Sequence, residues 1–297
     1  MSDLKLFRID DDIRELEGYS VAVERDLQRL LEVKLEKFLG VRFLASEYST
    51  GTLHRGRIDT IGIDENNCPV IIEYKRSLNQ NVINQGLYYL DWLMDHKANF
   101  KLLVLERYGQ EVADQIEWSA PRLLCIAGDF TKFDEHAVRQ INRNIELIRY
   151  KKYEDDLLLL ELVNATTANS SNNIGKEDSN KTYYKTVSDY LEQADEELSD
   201  RFDNIKEFLL NLGDDVQMKT LRYYIAFKRF SNFACFQIQP QSAWLKIDPN
   251  SIELEEGFTR DVSNIGHYGT GDLEVSINSD EDFERAKGLI VRSYEGS

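Results

Sequence analysis

The sequence predicts an α/β protein in which a mixed sheet flanked by helices is followed by a small α+β domain. Three observations carry that reading. Helical and strand periods alternate through the first half of the chain, the pattern that lays helices against a sheet of parallel and antiparallel strands. The run NATTANSSNNIGKEDSNK, starting at Asn164, then holds almost nothing apolar and reads as a linker. Beyond it the periodic pattern restarts. The expected boundaries are 1–165 for the first domain, 166–182 for the linker and 183–297 for the second, which suits a chain of 297 residues.

Residues 20–40, SVAVERDLQRLLEVKLEKFLG, put Val23, Leu27, Leu30, Leu31, Val33, Leu35, Phe38 and Leu39 at helical spacing, with Ser20 as cap and Gly40 as stop. VRFLASEYST reads as a strand and GTLHRG as a turn. RIDTIGIDENNCPVIIEYKR then splits into two strands, about 57–63 and 69–75, joined by the Asn-rich hairpin connector DENNCP. NVINQGLYYLDWLMDH returns to the helical period through Val82, Ile83, Leu87, Leu90 and Leu93. KLLVLE (101–106) is a continuous apolar run of strand length, EVADQIEW a short helix, PRLLCIAG a strand and DEHAVRQINRNI a helix. IRYKKYEDDLLLLELV closes the domain as one or two strands. In the second domain TVSDYLEQADEELSDRFDNIKEFLLNL is a helical segment or pair, and MKTLRYYIAFKR begins another element. FACFQIQP, SAWLKID and DLEVSIN are strands, and EDFERAKGLIVRSY is a final amphipathic helix.

Composition narrows the function classes. No apolar run reaches the length of about 18 residues that a membrane span needs, and the charged N-terminus lacks a signal-peptide core. Cys68, Cys125 and Cys235 are scattered and lack metal-ligand spacing, as expected of buried thiols in a reducing cytoplasm. A net charge of −17 argues against a general polyanion-binding surface, though a local basic strip can sit on an acidic body. Most of that charge serves solubility; a carboxylate cluster that takes Mg²⁺ would add to it.

One constellation stands out. Asp59 lies on the second strand and Glu73 and Lys75 on the third, where residues two apart project from one sheet face. Hairpin register can bring Asp59 beside Glu73. Two such carboxylates can hold a hard divalent cation, with a backbone carbonyl, that of Tyr74, and waters completing the shell. Lys75 could then orient or help deprotonate an attacking water, or stabilise charge on a phosphate. The residues alone leave the alternative of a solvated strand carrying an exposed ion pair.

Asp59 followed by Glu73-Tyr74-Lys75 resembles the signature of the PD-(D/E)xK, restriction-endonuclease-like nuclease superfamily, and the expected element order matches that fold's α-β-β-β-α-β core. Ile58 stands where the name-giving Pro would be, a position that varies widely. GRIDTIGIDENNCPVIIEYKR is most similar to the catalytic segment of the NucS-like branch. Gln85 and Tyr89 fit the Q-x-x-x-Y pattern of NucS-like and RecB-like nucleases, sharing one helix face. Glu24 lies where many members carry a further metal-supporting acid, with Glu47 as a substitute. The resemblance covers roughly residues 20–110 and weakens to about 165. It implies a Mg²⁺- or Mn²⁺-dependent deoxyribonuclease, with an endonuclease as the first expectation and a homodimer as the assembly to test. In that reading Asp59, Glu73, Lys75, Glu24, Gln85 and Tyr89 form the catalytic set, and Asp59, Glu73 and Tyr74 the metal ligands.

Arg55, Arg57 and Arg76 supply positive charge near the site and are candidate contacts to DNA phosphates; solvated loop cations are the competing reading. Tyr74, Tyr88 and Trp92 could stack on bases, with core packing favoured for at least two of them. The alternative function is a non-catalytic nucleic-acid-binding or regulatory protein on the same scaffold. The C-terminal part interleaves aromatics with Arg222, Lys228 and Arg229, a pattern that suits a nucleic-acid or acidic-ligand surface but is read first as an aromatic core with a basic rim; it resembles an uncharacterised domain family found attached to nuclease-like and other modules, which implies no activity. His267, in the Gly-rich NIGHYGTGD, matches no phosphate-cradling pattern.

Overall fold

The computed structural model describes residues 4–9, 12–20, 24–51, 56–75, 82–166, 186–239 and 241–297. Contacts divide the chain into two compact units, Met1–Asn169 and Ser170–Ser297.

The first unit is built on a mixed sheet. A small hairpin, β1 (Leu6–Arg8) with β2 (Arg14–Leu16), and the short β3 (Gly18–Tyr19) precede the first helix and are too short to show a period in the sequence. The helix expected over 20–40 is two helices, α1 (Glu24–Glu32) and α2 (Leu35–Leu39). Leu27, Leu31, Leu35 and Leu39 are all buried, but Val33 is 75% exposed and the chain turns there, so the apolar stripe continues across a break. Gly40 then ends α2 in the left-handed conformation (φ 62°) that glycine adopts without strain.

β4 (Val41–Ser49), β5 (Arg57–Asp64) and β6 (Pro69–Lys75) run antiparallel, and β6 continues in parallel to β7 (Arg122–Ala127) and β8 (Asn144–Tyr153). β9 (Leu157–Thr166) pairs antiparallel with β8, giving seven strands including β3. The antiparallel β4–β6 meander and the parallel β6–β7–β8 array therefore share β6 at their junction. α3 (Val82–Asp95) and α4 (Lys97–Asp114) connect β6 to β7, and α5 (Lys132–Arg139) connects β7 to β8. Ile61, Ile63 and Ile71 from the sheet pack with Ile83, Leu90 and Leu93 from α3 and Phe100 and Val104 from α4.

Two expectations are corrected here. KLLVLE is not a strand: it lies inside α4, where Phe100 and Val104 are buried four residues apart while Leu102 is 56% exposed. Gly109 (φ 86°) breaks α4, and the segment expected as a separate short helix starts just beyond that kink. The linker does not begin at Asn164 or Thr166, because both close β9; residues 167–182 lie outside the described residues.

The second unit is a six-stranded antiparallel sheet in the order β10 (Gln217–Thr220), β11 (Ile225–Lys228), β12 (Asn232–Gln237), β13 (Ser242–Leu245), β15 (Leu273–Ser276), β14 (Thr259–Asp261). Helices α6 (Val187–Glu192), α7 (Glu196–Leu210) and α8 (Asp280–Glu295) complete this α+β unit. Its separate core joins Ile205 and Leu209 of α7 and Phe283, Ala286 and Ile290 of α8 to Phe227, Phe233, Leu245 and Val275 of the sheet. The basic cluster is not all rim: Lys228 is buried, while Arg229 pairs with Asp215 at 2.7 Å. His267 stacks on Trp244 with ring centroids 5.1 Å apart.

Candidate functional site

The β5–β6 hairpin places the predicted residues. Thr60 pairs with Ile72 and Ile61 with Ile71, so Asp59 and Glu73 follow at the next rung. The structure draws them into a reciprocal clasp. The Asp59 backbone N–H donates to Glu73 Oε1 at 3.2 Å, and the Tyr74 backbone N–H donates to Asp59 Oδ2 at 3.0 Å. Glu73 is wholly buried, and its other oxygen, Oε2, has no hydrogen-bond partner among the described residues. A buried carboxylate oxygen left in that state is costly and calls for a cation or a proton.

The electrostatics agree. Burial, followed by the neighbouring Asp59 charge, pushes the Glu73 carboxyl up to about 9. Burial also raises Asp59, opposed by the Tyr74 N–H and the Lys75 ammonium and reinforced by Glu47 and Glu24. The site thus gathers more negative charge than it neutralises. Lys75, with its side chain 14% exposed, lies 3.7 Å from Glu24 Oε2 at the start of α1. Glu24 therefore reaches the site through Lys75. Next to them Tyr74 turns its buried side chain to the other sheet face, its hydroxyl 3.4 Å from Thr60 Oγ1, which leaves only its backbone for the site.

Gln85 and Tyr89 also converge, though on the strand that carries Asp59 rather than on the carboxylates. Gln85 Nε2 donates to Tyr89 Oη at 3.3 Å, and the Arg57 N–H donates to the same oxygen at 3.1 Å. The Tyr89 ring packs so close to Gly56 that a Cβ there would come within 2.4 Å of it. Of the candidate phosphate contacts, Arg57 has a 69% exposed side chain paired with Glu47 at 2.5 Å; Arg55 and Arg76 lie outside the described residues. Trp92 and Tyr74 are core residues, while Tyr88 is 46% exposed.

Two participants were missed or underweighted in the sequence. Gln28, 4% exposed on α1, donates from Nε2 to the Asp59 carbonyl at 2.7 Å and to Ser46 Oγ at 3.0 Å, and lies 3.1 Å from Glu32 Oε1. One amide thus joins α1, β4 and β5 behind Asp59. Its signal was a polar residue between Leu27 and Leu31 on the buried helix face. Glu47, considered only as a substitute for Glu24, has a left-handed backbone (φ 51°) inside β4.

No group of three or more His, Cys, Asp or Glu side chains among the described residues is arranged to hold a metal ion. The donor set that remains is two carboxylates and the Tyr74 carbonyl, all oxygen, which suits a hard divalent cation. The unpartnered Glu73 oxygen fits such an ion. No helix among the described residues is long and apolar enough to cross a membrane.

Comparison with known proteins adds little on chemistry. Residues 187–297 match a family described as a domain of unknown function (DUF5655). An uncharacterized protein of Haemophilus influenzae (strain ATCC 51907 / DSM 11121 / KW20 / Rd) is 29% identical over 296 residues, spanning 95% of this chain and 96% of its own. Among solved structures, a repair endonuclease from Pyrococcus abyssi is 14% identical with a TM-score of 0.29, covering 49% of this chain. An EndoMS–dsDNA2 complex is also 14% identical, with a TM-score of 0.26 and the same 49% coverage. The chain spans only 65% and 64% of those two proteins, and overlap this partial carries no argument about function.

Proposed function

We propose that the protein is a divalent-metal-dependent nuclease that hydrolyses DNA phosphodiester bonds with Mg²⁺ or Mn²⁺. The observation that carries this reading is the buried, unpartnered Oε2 of Glu73, clasped to Asp59 with Lys75 two residues further along the strand. DNA as the substrate rests on the similarity of residues 56–76 to the NucS-like catalytic segment.

Asp59, Glu73 and the Tyr74 carbonyl would hold the cation. When bound, such an ion polarises a phosphate oxygen and makes a coordinated water more acidic. The chain's own groups do the rest. The Lys75 ammonium, steered by Glu24, orients the attacking water or meets charge developing on the phosphate. Gln28 fixes the Asp59 backbone, and Tyr89, backed by Gln85, fixes Arg57, so the acidic strand is held from both sides. Such positioning supports the in-line approach of nucleophile and phosphate.

The test is incubation with single-stranded, forked and duplex DNA in Mn²⁺, comparing wild type with Asp59→Ala and Lys75→Ala. Cleavage should fall by about 10²-fold or more in each variant while the fold is retained. Equal cutting by all three proteins overturns the assignment.

A further inference from the structure

We propose that Glu47 is a third carboxylate of the cation site, held off it by Arg57 until a DNA backbone phosphate takes the guanidinium. This rests on the metal-site reading above and adds a control to it. Glu47 lies between Ser46 and Tyr48, whose partners across the strand pair are Thr60 and Ile58, the two neighbours of Asp59. Adjacent strands are about 4.8 Å apart, so the Glu47 side chain starts within reach of the Asp59 carboxylate. Its charge already acts on both Asp59 and Glu73. There is room for it: such a cation takes about six oxygen ligands, and beyond the two carboxylates of the clasp and the Tyr74 carbonyl the rest would be waters, which a third carboxylate can replace.

In the structure the Glu47 carboxylate is engaged by Arg57. Its Oε2 is 2.5 Å from Arg57 Nε, and no three-carboxylate metal group forms among the described residues. That pair is built to be exchanged. The Arg57 backbone is anchored by Tyr89 Oη, yet its side chain is 69% exposed against 28% for Glu47. The guanidinium therefore faces solvent from a fixed base, where a phosphate can engage it in the bidentate manner that suits Arg. A phosphate that draws Arg57 away leaves Glu47 without its counter-charge and free to turn to the bound cation. The unpartnered Glu73 Oε2, fully buried beside Asp59, independently marks where that cation sits. Linkage requires the effect to run both ways: DNA tightens cation binding, and the cation tightens DNA binding by the same factor.

Calorimetric titration of Mn²⁺, with and without a hydrolysis-resistant phosphorothioate duplex and with the DNA-alone heat subtracted, tests this. Wild type should bind Mn²⁺ about 10-fold more tightly with DNA present, a typical coupling. Glu47→Gln should lose that gain, and Arg57→Ala should bind Mn²⁺ tightly without DNA. Asp59→Ala serves as the control for the site itself, and circular dichroism confirms that each variant is folded. Asp59-dependent binding that Glu47→Gln and Arg57→Ala leave unchanged, with or without DNA, overturns this inference and leaves the metal site standing. Absence of Asp59-dependent binding in every sample overturns both.

Discussion

Glu73 couples the chemistry of the site to the stability of the fold. In the unfolded chain its carboxyl ionises near its ordinary 4.5, whereas burial and Asp59 keep it protonated in the cation-free fold up to about 9. Between those values the folded state holds one more proton than the unfolded state. The stability this group contributes is complete below pH 4.5 and is lost as pH rises towards 9. Glu73→Gln, which keeps the acceptor for the Asp59 N–H but cannot ionise, should therefore melt above cation-free wild type at about pH 8. The gap should narrow towards about pH 5, by up to ~1.4 kcal/mol per pH unit. Scanning calorimetry at both values reads this directly, and an unchanged gap would show that Glu73 is already ionised in the fold. Asp59, Glu73 and Lys75 were legible in the sequence because strand period and a short hairpin fix their register. Glu47 was read only as a stand-in for Glu24, and Gln28 not at all, because the contacts that define them, from α1 to β5 and across the β4–β5 pair, exist only in the folded sheet.

α3 illustrates what an element contributes to a site that it does not carry. It lies so close to β7 that a Cβ at Gly86 would come within 2.4 Å of Leu123 Cδ1. Leu123 is fully buried, so any shift of its side chain must be taken up by the packed core around it. Gly86→Ala should cost about 1–3 kcal/mol by overpacking and tilt the helix that presents Gln85 and Tyr89. A thermal melt together with an activity assay checks both effects; an unchanged melt would mean that the helix–sheet spacing yields freely. α4 shows why such elements can be misread. A short apolar run such as KLLVLE fits a buried strand or a helix equally well. The four-residue spacing of Phe100, Val104 and Tyr108 was the deciding signal, and it becomes visible only when the window extends past both ends of the run. Strands β5 to β7 were easier, since turn residues mark their ends, whereas the helix expected over 134–145 stops at Arg139 and β8 already begins at Asn144.

At the scale of the whole molecule, two units with separate cores should unfold in two steps. Mn²⁺ should raise only the step that Asp59→Ala shifts in parallel, by the mass-action effect of a ligand that binds the folded form alone. A single transition moved as one by Mn²⁺ would show that the units melt together. Much of the division into two units was visible in the sequence as a loss of apolar residues. The far end of the first unit's sheet was not, because it depends on side chains from three strands meeting out of sight. There Arg122 is 3.0 Å from Asp64 and forms bidentate bonds with Glu146 at 2.8 and 2.9 Å, all three buried. Arg122 pairs across from Val70 on β6, some five residues from Lys75, a separation of roughly 16 Å along the strand. One pole of the sheet is thus a closed account of charge, the other an open one. Asp64 Oδ1 also accepts from the Asn66 and Cys68 N–H groups of the connector, so the closed pole doubles as the brace of the hairpin turn, and breaking it should loosen the end of the ribbon farthest from the site.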